Sequence, residues 1–145
     1  MLKRLLTLVF ACATLAATTG CAVNRATANV MPDADLGKVK SLYVVKDPKD
    51  ERGIDELIKK NLAKRGYQVE GGLEQAPPYK ADAVVTYLDK WMWDITMYMI
   101  ELTITVRNPQ NFPMASGNSL HTSLTRKSPD EMVDEVLTNI LNAKK

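Results

Sequence analysis

Between Tyr87 and Met99 the sequence gathers the side chains with most to offer a ligand. Tyr87, Asp89, Trp91 and Trp93 recur at every second position, so a continuous β-strand would put all four on one face. Asp94 follows at once, and Met97, Tyr98 and Met99 lie just beyond. Both Trp residues, three of the seven Met and two of the five Tyr fall within this one stretch. Aromatic and Met side chains join large apolar area to adaptability, and both are enriched at binding surfaces. Carboxylates beside aromatic rings also suit a sugar. The bland alternative is that the same residues close the open end of a sheet against its helices. Tyr87, Asp89, Trp91, Trp93, Asp94 and Tyr98 are thus the candidate binding surface, for an envelope protein or for a glycan or lipid headgroup.

Catalysis has little to build on. His121 is the only histidine, its nearest acids are distant in sequence, and it reads as an ordinary surface residue of a strand. Asp89, Asp94 and Glu101 could pair as general acid and base, but carboxylates near a turn are as a rule solvated. No Gly-x-Ser-x-Gly, His-Glu-x-x-His or Walker-type loop occurs. Gly71-Gly72 lacks the Lys and helix that a phosphate cradle needs. Zinc would require ligands that the chain does not own. The expectation is a chain with no enzymatic activity, no cofactor and no metal.

The elements that must position these residues come from 145 residues, 46% hydrophobic and 25% charged. That is one domain's worth of chain, apolar enough for a core and too apolar for disorder. No internal repeat is visible, and a formal net charge of +2 gives nucleic acid no basic footprint.

The N-terminus reads as a secretory signal peptide over residues 1–20. Met1-Leu2-Lys3-Arg4 is basic, Leu5 to Ala17 is an apolar run broken only by Thr7 and Thr14, and small residues follow through Gly20-Cys21. The run is shorter than the roughly 20 apolar residues of a spanning helix. Its end resembles the lipobox of bacterial lipoproteins, in which Gly or Ala precedes an acylated Cys. Gly20-Cys21 match that pattern; Thr18 stands where the family usually has Leu. Cys12 would leave too short an apolar run. The alternative is a plain secretory cut near Ala22 that releases a soluble periplasmic protein.

Cleavage after Gly20 removes Lys3 and Arg4 and no acid, leaving 17 basic residues against the 17 acidic ones. The excess positive charge belongs to the targeting segment. With Cys12 removed and Cys21 acylated, disulfides and thiol chemistry drop out as well. Lipidation at Cys21 implies a membrane anchor, which needs more than one acyl chain to be stable. Ala22, where an inner-membrane retention signal would have Asp, implies transfer to the outer membrane, facing the periplasm.

Residues 22–35 are small, polar and aperiodic, and read with Cys21 as a flexible tether reaching roughly 20 Å. A single domain is expected over 36–145. Val39 to Val45 reads as a strand and Asp47-Pro48-Lys49-Asp50 ends it. Ile54, Leu57, Ile58 and Leu62 give a helix capped by Gly66. Tyr67-Gln68-Val69 can begin a short strand before Gly71-Gly72 turns the chain into an exposed loop over 70–80. A strand starts at Asp82. A second has Tyr98, Ile100, Leu102, Ile104 and Val106 on one face and Met97, Met99, Glu101, Thr103, Thr105 and Arg107 on the other. Asn108-Pro109-Gln110-Asn111 turns the chain, and a weaker strand between Met114 and Thr125 is interrupted at Gly117-Asn118. Ser128-Pro129-Asp130-Glu131 opens the last helix as a capping box, with Val133, Val136, Leu137, Ile140 and Leu141 as its buried stripe.

The order β-α-β-β-β-β-α predicts a two-layer α+β sandwich: a mostly antiparallel sheet of four to five strands covered on one face by two helices. The other face must be polar or meet something. The lipobox, this order and Tyr87-x-Asp89-x-Trp91-x-Trp93-Asp94-x-x-x-Tyr98 together resemble a group of small Gram-negative outer-membrane lipoproteins. Their layout is similar to that of the lipopolysaccharide-assembly lipoprotein LptE and the N-terminal domain of TolB. The resemblance implies a role in envelope assembly and supplies no catalytic residue.

Overall fold

The computed structural model describes residues 23–73 and 80–143. Residues 1–20, read above as a signal peptide, lie outside them with Cys21, Pro77-Pro78 and Lys144-Lys145. The elements are β1 (Asn24–Val30), β2 (Ser41–Val45), α1 (Ile54–Lys64), β3 (Gln68–Gly72), β4 (Ala83–Asp94), β5 (Thr96–Arg107), β6 (Pro113–His121) and α2 (Pro129–Asn142). Single 3-10 turns occupy Leu36–Lys38 and Ser123–Thr125.

The strands form one six-stranded sheet in the order β1-β6-β5-β4-β2-β3. β2 runs parallel to β3 and β4, and every other pairing is antiparallel. Both helices pack on one face. Ile54, Ile58 and Leu62 of α1 and Met132, Val133, Val136, Leu137 and Ile140 of α2 share a core with Leu42, Val44, Ala83, Val85, Leu102, Ile104 and Val106. The α+β sandwich with two helices on one face is therefore what the chain adopts, with one strand more than expected.

That strand comes from the segment read as a tether. Asn24 to Val30 pairs residue for residue with His121 to Ala115 of β6, and Ala28 and Val30 lean on the core. Ala26, Ala28 and Val30 do alternate with Arg25, Thr27 and Asn29, but two alanines and one valine make a weak apolar period. This exposed edge strand is held by its backbone ladder more than by buried side chains.

Local chemistry explains the helix ends. In α2 Ser128 accepts from the Glu131 N–H while Glu131 accepts from the Ser128 N–H, the reciprocal capping box. Gly66, at φ 92°, ends α1; its N–H reaches the Ala63 carbonyl and that of Tyr67 the Leu62 carbonyl, a Schellman arrangement.

Two glycine expectations change. Gly71 and Gly72 continue β3 beside Val44 and Val45 rather than turning the chain. Gly117 lies inside β6, where an added Cβ would come within 2.8 Å of Ile140 and 2.9 Å of Val136. It marks the closest approach of sheet to α2, not an interruption.

The face away from the helices is largely polar over the paired parts of β5 and β6 and mixed over β4, where Leu88 and Met92 are exposed beside Thr86 and Lys90. The Arg107 guanidinium donates to Thr86, Thr105 bonds Ser116, and Asn118 donates to Thr103 and Glu101. A smaller apolar cluster, Tyr43, Val45, Ala81 and Val84, sits at its β2 side.

Candidate functional site

β5 pairs with β6 only from Glu101 to Arg107, whereas β4 and β5 pair on to Asp94 and Thr96. The end of this hairpin, Trp91 to Ile100, therefore projects past the rest of the sheet. Its turn is as tight as a hairpin allows: Asp94 pairs with Thr96 around Ile95 alone, at φ 61°. A β-branched residue in that left-handed region is strained.

The register shifts just below the turn. Lys90 faces Glu101 but Trp91 faces Met99, so Ile100 is an extra residue on β5. The alternation predicted for β5 holds from Glu101 onward and inverts before the bulge. Met99 turns to the core and is 1% exposed. Tyr98 turns to the opposite face, where its hydroxyl points to the Met92 sulfur at 3.5 Å.

The bulge divides the candidate surface. Tyr87, Asp89, Trp91 and Trp93 share the helix side of β4, and Asp94 and Tyr98 lie on the other. Tyr87 is half-buried and donates 2.7 Å to Asp50. Burial and that carboxylate raise its pKa well above the ordinary phenol value. Trp91 is half-buried against the core, donates 2.5 Å to Asp89, and has the Arg52 guanidinium 4.1 Å from its ring centroid. Trp93 is 69% exposed. One tryptophan thus seals the core and the other faces outward.

On the other face one carboxylate oxygen of Asp94 is engaged twice. It accepts from the Ser123 hydroxyl and, at 3.2 Å, from Arg126. Arg126 also donates to the Asp94 carbonyl and to Thr96, with its guanidinium 4.2 Å from the Tyr98 ring centroid. The segment after β6 braces the hairpin here.

Asp50, which the sequence presents only as the end of a strand, organises the base of the site. Its carboxylate accepts the N–H groups of Arg52, Gly53, Ile54 and Asp55 at the start of α1, besides the Tyr87 hydroxyl. Burial pushes this carboxyl up, but the Tyr87 and backbone donors outweigh it and hold it below the usual range. An Asp followed three residues later by Gly and then an apolar helical period is the signal that could have found it.

Each of the three carboxylates considered for acid–base pairing is hydrogen-bonded to another side chain. Asp89 bonds Trp91, Asp94 bonds Ser123 and Arg126, and Glu101 bonds Lys90 at 2.6 Å and Asn118 at 2.9 Å. His121 is not a surface residue: it is 3% exposed, with Nε2 2.8 Å from Glu135. Ser119 and Lys127 donate to the same carboxylate at 2.6 and 2.5 Å. The Ser119 hydroxyl points to Glu135, not to the imidazole, so the trio is a buried anchor between β6 and α2. An open groove of about 710 Å³ between the helices is lined by ion-paired side chains, among them Arg65 with Asp134 and Lys127 with Glu135. Among the described residues no group of three or more His, Cys, Asp or Glu could hold a metal. No helix among them is long and apolar enough to cross a membrane.

No family model matches the chain, and no curated protein does. Among solved structures, the PelC dodecamer of Paraburkholderia phytofirmans matches at TM-score 0.60 and 14% identity, over 81% of this chain and 98% of that one. A single-substitution variant of the same dodecamer matches at TM-score 0.59 and 14% identity, over 85% and 100%. TolB of Acinetobacter baumannii matches at TM-score 0.44 and 14% identity, over 81% of this chain and 31% of that one. At this identity the likeness to PelC is one of fold.

Proposed function

We propose that this chain is a lipid-anchored, non-enzymatic accessory module of the cell envelope. It acts by binding, and its binding face is the projecting β4–β5 hairpin. The anchor reading rests on the lipobox-like Gly20-Cys21 behind an apolar run. The binding reading rests on one observation above the others: the end of the hairpin groups Met92, Trp93, Ile95 and Met97, between 44% and 87% exposed, within six residues of one another. Aromatic and Met side chains grouped outside the core are the usual material of an interface centre. The acids and the histidine that could have run a reaction are each tied to a structural partner, which favours binding over turnover.

Photo-crosslinking tests this in intact envelopes. A crosslinking residue at Trp93 of the full chain is expected to capture an envelope component, and the same residue at exposed Glu56 of α1 is not. Equal adducts from both positions, or none from Trp93, would overturn it.

A further inference from the structure

The described chain begins at Val23, whose carbonyl accepts from the Thr122 N–H and hydroxyl at 3.2 and 3.1 Å and from the Thr125 hydroxyl at 3.4 Å. The same short segment reaches the hairpin through Ser123, which bonds Asp94, and Arg126, which bonds Asp94 and Thr96. Strand polarity agrees. Asn24 pairs with His121 on β6, and Leu120 pairs with Glu101 on β5, just where the hairpin leaves the sheet. The entry of the chain into the domain and the projecting hairpin therefore share one end of the sheet.

From Trp91 to Ile100 the only charged residue is Asp94, and Arg126 pairs with it at 3.2 Å. The tip carries Trp93, Ile95 and Met97 at 69%, 87% and 44% exposure. Ile95 is the telling residue. The left-handed turn favours Gly or Asn there, and Ile covers almost nothing in the domain. Neither turn chemistry nor core packing explains an apolar branch at that position. A surrounding that takes apolar side chains without charge does. Tryptophan at such a boundary suits the headgroup level of a bilayer, where one end of the ring is apolar and the indole N–H stays wet.

We propose that the hairpin tip is a second membrane contact: Trp93, Ile95 and Met97 enter the lipid interface beside the acyl chains on Cys21, two residues upstream of Val23 in sequence. This rests on the lipid-anchored reading and names the bilayer itself as what the hairpin meets. Two attachments at one end would fix the domain's orientation, with β4 and β5 rising from the membrane, where a single anchor would leave it free to tumble. Apolar area buried at the tip would add to the anchor's hold.

The chain's own two Trp residues report the contact. The acylated mature protein goes into vesicles of phosphatidylethanolamine and phosphatidylglycerol, with and without phospholipid brominated in the upper acyl chain. Trp91→Phe leaves Trp93 as sole emitter, and Trp93→Phe leaves Trp91. Trp93 is expected to shift to the blue and be quenched by the brominated lipid, and Trp91 to be quenched less. Should Trp91→Phe fold poorly, an environment-sensitive dye on Ile95→Cys gives the same reading from an exposed position. Mass of the same sample reports acylation separately. Acylated protein whose Trp93 is neither shifted nor quenched overturns the membrane contact and leaves the anchor standing. Trp93 silent in vesicles but shielded in whole envelopes marks a protein partner and overturns it too. Unacylated protein with Trp93 quenched supports the contact and removes the anchor.

Discussion

Arg126 donates to the backbone carbonyl of Asp94 at 2.9 Å while its guanidinium lies over the Tyr98 ring, 4.2 Å from the centroid. One side chain thereby ties the segment after β6 to both strands of a hairpin that the rest of the sheet does not support. Arg126→Ala should destabilise the domain by about 1–2 kcal/mol, from lost charge-assisted bonds and cation–π contact. Arg126→Lys should recover only part, because an ammonium lacks the planar fork. Urea unfolding of the three proteins checks the order, and equal midpoints would refute the brace.

Ile95→Gly should stabilise the fold by about 1 kcal/mol, since it relieves a β-branched residue at positive φ. The same variant should bind vesicles or envelopes less well. A loss of stability would mean that Ile95 packs within the domain rather than outside it.

Gly117→Val should cost about 1–3 kcal/mol, because a side chain there meets Ile140 and Val136 of α2. The thermal midpoint should fall, and a second substitution that shortens Ile140 should restore part of it.

Asp50→Ala should cost about 1–2 kcal/mol by uncapping α1, and should strand the Tyr87 hydroxyl as well. Tyr87→Phe alone should cost less. If the two were additive in the double variant, the Asp50–Tyr87 bond would carry no coupling.

Burial raises the Glu135 carboxyl, but Lys127, Ser119 and His121 more than reverse this and bring it down to about 2. The folded carboxyl thus titrates below the unfolded one. Its contribution is complete above the ordinary value of 4.5 and is lost as pH falls through that range toward 2. Glu135→Gln should flatten the acid limb of stability against pH; an unchanged limb would show that other groups govern it.

What the sequence discloses follows from which forces leave a pattern. The α2 cap is plain because Ser128, Pro129 and Glu131 act within one helical turn. The helix stripes are plain because burial repeats at the helical period. β1 is easily missed because its alternation rests on small residues, Ala26 and Ala28 before Val30, while backbone pairing with β6 does most to hold it. The faces of β5 are misleading near its start because one bulged residue, Ile100, inverts every side chain before it. That bulge also separates Tyr98 from the Trp residues it neighbours in sequence. His121 reads as surface because its partner, Glu135, comes from another element.

Isolation of the mature protein from the envelope and mass analysis of its N-terminal peptide test the lipid anchor most directly. The expected product is a peptide beginning at Cys21 with acyl chains on it. A protein that begins at Met1, or carries an unmodified Cys21, would contradict the anchor.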